Sequence, residues 1–210
     1  MERFTIQKND FLSHDCTGYF HLYYVGYGQP GNPDYLNTLK NIFVSTHPDM
    51  LRAASRQAAA LMIQDIPQVM DAEGLDTAIL MAVPRSKSGM CNWQLGFKAA
   101  VRTTVKVLQA DGLSVIDGTD FIFRHTSTKM THLRKPVSNF ENTGSEPYPG
   151  ITKDTCDIQN EYIKGRTVIL IDDIYTKTVN VDEDCIQALY DAGAARVVFY
   201  AVAYTNRNAY

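Results

Sequence analysis

The sequence predicts an α/β protein built on a parallel sheet flanked by helices, and three observations carry that prediction. Two uninterrupted apolar runs, Thr77–Val83 (TAILMAV) and Val168–Ile171 (VILI), have the pattern of strands covered on both faces. Each runs straight into polar residues, Pro84–Gly89 in one case and Asp172–Asn180 in the other. Strand-like and helix-like segments alternate through the second half of the chain, which favours parallel pairing joined by helical crossovers.

Taken in order, Thr5–Gln7 and the aromatic-rich Tyr19–Gly28 predict strands, followed by the Gly/Pro turn Gly28–Pro33. Tyr35–Val44 predicts a short helix capped by Asp34. From Pro48 onward, Leu51, Ala54, Ala58, Leu61, Met62, Ile66, Val69 and Met70 recur at helical spacing, with Pro67 expected to kink or end the helix and Gly74 closing the region. After Thr77–Val83 a long helix is expected over Asn92–Ala110, then short strands over Ser114–Ile116 and Thr119–Arg124 around the turn Asp117-Gly118. His125–Tyr162 shows no sustained period and carries Pro136, Gly144, Pro147, Pro149 and Gly150; an irregular stretch that long is commonly a lid. A strand at Val168–Ile171, a helix over Asp182–Ala192 and a strand over Arg196–Ala203 complete the chain. The expected division is a small β-containing hood over residues 1–47 and an α/β core over 48–210, with a flexible loop at 125–162.

Composition narrows the function. The 210 residues suit one domain of ordinary size or one domain with an appendage, and 45% hydrophobic residues are enough for a sizeable core. A formal net charge of −3 argues against a general nucleic-acid binder, which would need a basic excess. Cys16, Cys91, Cys156 and Cys185 are far apart and lack metal-ligand spacing, so neither a zinc site nor a disulfide framework is expected. No apolar run approaches the about 18 residues of a membrane span, and MERFTIQKND has no signal-peptide core. A soluble, cytoplasmic protein with no membrane partner is expected.

The chemistry is expected at strand carboxyl ends. In open α/β sheets these ends share one edge, where ligands bind. Asp172 and Asp173 follow the apolar run directly and suit hydroxyls or a metal ion. The turn Thr176-Lys177-Thr178 behind them opens a helix, whose first N–H groups and dipole favour an anion. Arg85–Gly89 and the basic residues His125, Lys129, His132, Arg134 and Lys135 fall on segments that can reach the same crevice. Blander readings stand beside these: the acid pair as a helix cap or solvated edge, and the cations as ordinary surface charge.

The stretch VILIDDIYTKTVN, Val168–Asn180, resembles the phosphoribosyl-pyrophosphate motif of the type I phosphoribosyltransferases: an apolar strand, two acids, two variable residues and a hydroxyl-rich phosphate loop. The order of parts over Thr77–Ala203 is also similar to that family, and the spacing is most like its ComF-like and amidophosphoribosyltransferase-like branch. The resemblance implies a type I phosphoribosyltransferase-like core and a Mg²⁺-dependent glycosyltransferase that moves ribose 5-phosphate from phosphoribosyl pyrophosphate to a nitrogenous base or amine. It implies that Asp172 and Asp173 take the ribose hydroxyls, directly or through Mg²⁺. It assigns the 5′-phosphate to Thr176, Lys177, Thr178, Val179 and Asn180, and the leaving pyrophosphate to Arg85, Ser86 and Lys87. Lys129, His132, Arg134 and Lys135 match the flexible loop over that group. The acceptor would be chosen by residues 1–44 and the C-terminal Tyr204–Tyr210, and relatives often form homodimers. The phosphate loop departs from the family at Thr178, usually Gly, and at Asn180, usually Thr. That departure fits an alternative reading as a regulatory protein that binds a nucleotide or phosphoribosyl pyrophosphate without turnover. A third reading is a ComF-like accessory of DNA-handling machinery.

Overall fold

The computed structural model describes residues 1–26, 29–40, 48–90, 92–131 and 141–206. β1 (Glu2–Ile6), β2 (Cys16–Tyr24), β3 (Ala78–Ala82), β4 (Val115–Asp117), β7 (Thr167–Tyr175) and β8 (Arg196–Thr205) form a 6-stranded sheet in the order β1-β2-β8-β7-β3-β4. Every neighbouring pair in it is parallel except β1 with β2. α1 (Asp34–Lys40), α2 (Pro48–Ala72) and α3 (Gly96–Ala110) cover one face, and α4 (Asn160–Ile163) and α5 (Val181–Asp191) contribute to the other. The fold is therefore mixed α/β, with a mostly parallel central sheet between helices.

β7 shows why its apolar run is continuous. Side chains alternate between faces along a strand, so Ile169 and Ile171 join the core that holds Ala58, Met62, Ile66 and Val101. Val168 and Leu170 join the core that holds Cys185, Ile186 and Leu189. Both faces are dry, and both demand apolar side chains.

Several elements differ from expectation. β7 continues past Ile171 to Tyr175 because β8 still pairs with it, with Asp172 opposite Ala201 and Tyr175 opposite Tyr204. Its ladder with β3 ends earlier, at Ala82 opposite Ile171, with one further bond from the Val83 N–H to the Ile171 carbonyl at 2.9 Å. The acids therefore stand on a stretch of β7 that β8 pairs on one side and the β3 ladder has left on the other. α2 runs through Pro67 to Ala72. Proline inside a helix costs about 3 kcal/mol, and burying Ile66, Val69 and Met70 against the sheet is of the size needed to offset it.

Within 125–162 there is more order than the sequence pattern discloses. β5 (Ile122–Arg124) pairs antiparallel with β6 (Cys156–Ile158), α4 follows, and Thr128 bridges to Ser145. Elements of three or four residues leave no periodicity to detect. The N-terminal segment expected as a hood contributes β1 and β2 to the main sheet. Its Ile6, Leu12 and Phe20 enter one core, and its Tyr19, Tyr24, Leu36 and Leu39 enter the other. Among the described residues, no helix is long and apolar enough to cross a membrane.

Candidate functional site

Because β3 and β7 are parallel neighbours, their carboxyl ends leave the same edge of the sheet, carrying Pro84–Gly89 and Asp172–Asn180 with them. The segment after β5 is tied to the first of these. The Thr128 N–H donates to the Ser86 carbonyl at 2.7 Å, and the Ser88 N–H donates to Ser127 Oγ at 3.0 Å. Arg124, nearly buried, clips the parts together by donating from Nε to the Arg85 carbonyl at 2.6 Å and from a terminal nitrogen to the Gly150 carbonyl at 2.9 Å. The described start of the segment after β5 thus joins the β3 loop at this edge.

Strand alternation separates the two acids. Asp173, 3% exposed, lies on the α1 side, where Lys40 Nζ stands 3.5 Å from one carboxylate oxygen and Arg85 3.4 Å from the other. Burial alone would raise its pKa, but the Lys40 and Arg85 charges together outweigh burial and hold it below the usual carboxylate value. Asp173 is an ionised carboxylate between two cations. In return it orients Arg85, whose guanidinium also donates to the Leu39 carbonyl at 2.9 Å.

Asp172 lies on the α5 side, where it is an electrostatic neighbour of Asp182. Burial and then the Asp173 charge push Asp172 up to about 7. Asp182, 3% exposed, is pushed well above the usual range by burial first and the Asp172 charge second. Burial thus favours the protonated form at both carboxyls. The next two residues of α5 are buried acids as well. Glu183 accepts from the Tyr175 hydroxyl at 2.8 Å, and Asp184 accepts from the Gly150 and Ile151 N–H groups at 2.6 and 2.9 Å.

The loop between β7 and α5 is a short turn in which the Val179 N–H donates to the Thr176 carbonyl at 2.8 Å. The Thr176 hydroxyl is bonded to Thr205 Oγ1 at 2.7 Å, while Lys177 and Thr178 are exposed. Asn180 precedes α5 without capping it through its side chain. The acids of the first turn already compensate the helix dipole, so an anion here would rely on Lys177, the Thr178 hydroxyl and local N–H groups.

Ser86 is engaged through its carbonyl, which accepts from the Thr128 N–H and hydroxyl. Lys87 is bonded to the segment after β5. Its Nζ donates to the Thr128 carbonyl at 2.9 Å, to the Thr143 carbonyl and to Asn142 Oδ1 at 3.4 Å, and burial lowers its pKa. Lys129 pairs with Glu146 on the same segment. His132, Arg134 and Lys135 lie outside the described residues. Sequence reasoning missed Lys40, Asp182 and Asn142. The acidic first turn of α5 was visible as a composition signal for Asp182, whereas nothing local marks Lys40 or Asn142.

Among the described residues there is no group of three or more His, Cys, Asp or Glu side chains placed to hold a metal ion. No protein-family model matches the chain, and no curated protein matches it.

Proposed function

We propose that the chain is a phosphoribosyltransferase with a type I phosphoribosyltransferase-like core. It would move ribose 5-phosphate from phosphoribosyl pyrophosphate to a nitrogenous acceptor and release pyrophosphate. The observation that carries this reading is the meeting, at one sheet edge, of an oriented guanidinium, an acid pair and a hydroxyl-bearing turn that opens a helix. Displacement at a sugar carbon builds positive charge on the ring and negative charge on the leaving group. The catalytic demand is therefore for positioned donors and exclusion of water.

In this reading Arg85 stabilises the departing pyrophosphate, and Asp173 holds its guanidinium in place. Asp172, half-buried on the α5 side, accepts from the ribose hydroxyls. Thr176–Asn180 faces the 5′-phosphate with Lys177 as its cation. Mg²⁺ fits as an ion that arrives on the substrate. It keeps several waters and binds through one or two carboxylates plus phosphate oxygens, and Asp172 is the carboxylate left to it, since Asp173 is held by Lys40 and Arg85.

The test is pyrophosphate release from phosphoribosyl pyrophosphate and Mg²⁺ across a panel of bases, ammonia and primary amines. Release with one acceptor class, reduced about 100-fold by Arg85→Met, is the expected result. No release with any acceptor removes the transferase reading.

A second reading, binding without turnover, is favoured by one observation: Lys87 is held by the carbonyls of Thr128 and Thr143. Calorimetry distinguishes the two. Heat of binding with phosphoribosyl pyrophosphate or a nucleotide, with no pyrophosphate released, selects the second.

A further inference from the structure

The N-terminal turn between β1 and β2 reaches the loop that precedes α5. Asn9 Nδ2 donates to Asn180 Oδ1 at 3.2 Å, across 171 positions of sequence. The turn is built to hold that contact. Asn9 and Leu12 exchange backbone hydrogen bonds at 2.9 and 3.3 Å, and Leu12 is buried. The Ser13 N–H donates to Gln187 Oε1 of α5 at 2.9 Å, and the His14 ring packs 4.2 Å from that of Tyr190. Phe11 packs edge-on against Tyr148, 5.0 Å between centroids.

The network also fixes which way both amides point. Asn9 Oδ1 accepts from the Phe11 N–H at 2.8 Å, so the group that Asn9 turns toward Asn180 must be its NH₂. The group of Asn180 that receives it must then be the oxygen. An asparagine before a helix ordinarily spends that oxygen on the first-turn N–H groups. Here it is spent on Asn9, and Asn180 makes no side-chain cap. Asn180 Nδ2 makes no hydrogen bond among the described residues. Its donor end is left for the loop.

We infer that Asn9 is a positioning residue: it locks the Asn180 carboxamide with its NH₂ available to an anion held by residues 176–180. The inference rests on the proposed phosphoribosyl-pyrophosphate reading. It accounts for an asparagine at this end of the loop, because a locked carboxamide supplies a hydrogen-bond donor as a hydroxyl does. The turn between β1 and β2 thereby becomes part of the phosphate site.

The test compares Asn9→Ala and Asn9→Asp, using ribose 5-phosphate, phosphoribosyl pyrophosphate and inorganic pyrophosphate as probes in calorimetry. Asn9→Ala frees the Asn180 amide and should weaken both sugar phosphates about tenfold, leaving pyrophosphate affinity unchanged. Asn9→Asp still accepts from the Phe11 N–H, so the turn survives. Its carboxylate, however, draws Asn180 round to present its oxygen to the anion, and the loss should exceed that of Ala. A purely structural role for Asn9 predicts the reverse order, Asp milder than Ala. That order, or wild-type affinity in both variants, overturns the inference while the wild-type protein's binding leaves the broader reading intact. Absence of sugar-phosphate binding by the wild-type protein overturns both.

Discussion

Asp172 and Asp173 are adjacent on β7 and belong to opposite faces of the sheet. Asp173 is clasped by Lys40 and Arg85 on the α1 side, and Asp172 lies on the α5 side, where burial and the Asp173 charge raise its pKa. Strand geometry makes this unavoidable, because successive side chains point to opposite faces. The pair therefore works as two separate devices, one ionised and holding a cation, the other poised near neutrality.

Removing Asp173 should destabilise the protein. Its carboxylate is buried with two cationic partners, and deleting one member of a buried ion pair typically costs about 3–5 kcal/mol. Lys40 and Arg85 keep some contact with solvent, so Asp173→Ala should fall near the lower end, read as a lower urea midpoint at unchanged slope. Asp173→Asn, which keeps the shape, should cost less. A loss below about 1 kcal/mol for Asp173→Ala would mean that the two cations are held by other groups.

Asp172 and Asp173 give stability opposite pH dependences. A carboxyl with a raised folded pKa binds its proton more tightly when folded, so its contribution is fully present below about pH 4 and lost as the pH climbs through about 7. Asp173, with its lowered pKa, contributes stability above about pH 4 that is lost as the pH falls further. Asp172→Asn should make the decline between pH 5 and pH 8 shallower, the remainder coming from Asp182, Glu183 and Asp184, which burial also raises, and leave the acid limb in place. Denaturant melts across that range decide it: an unchanged decline would assign the titration to Asp182 or Glu183.

Much of this architecture was legible in the sequence because its signals are local. Two-faced burial makes VILI and TAILMAV continuous, and the first-turn acids and Gly193 bracket α5. What escaped depends on distant partners. β7 extends through two acids because β8 is there to pair with it. Lys40 lies at the end of a helix with nothing to mark its role, and it meets Asp173 only in the folded chain. Asp65, acidic yet on the buried face of α2, is acceptable there because Tyr200 and His21 each approach its Oδ2 at 2.8 Å. The resemblance implies a leaving-group role for Lys87, and nothing local in the sequence signals its other contacts. Its carbonyl partners come from a segment without periodicity.

Lys87 should be what fastens that segment. Lys87→Met keeps the aliphatic stem but removes the donor shared by the Thr128 and Thr143 carbonyls and by Asn142. The expected result is a global stability loss of about 1–2 kcal/mol and a several-fold faster proteolytic cleavage between Thr126 and Glu146. Unchanged cleavage with weakened pyrophosphate binding would return Lys87 to the leaving-group role.

The other end of the segment is fastened by Asp184. One carboxylate oxygen accepts from two backbone N–H groups, those of Gly150 and Ile151, and both sites are buried. Gly150 has no room for a side chain, since a Cβ there would lie 2.2 Å from the Pro147 carbonyl oxygen. The chain is therefore confined at that point and cannot readily turn to find other partners. Asp184→Ala would strand two buried donors, each costing about 1–3 kcal/mol, so a total near 3 kcal/mol is expected. Hydrogen exchange locates the effect. Protection should fall at Gly150 and Ile151 well before it falls in β7 or β8, whose ladder bonds do not involve Asp184. Equal loss of protection throughout the sheet would make Asp184 a support of the whole core.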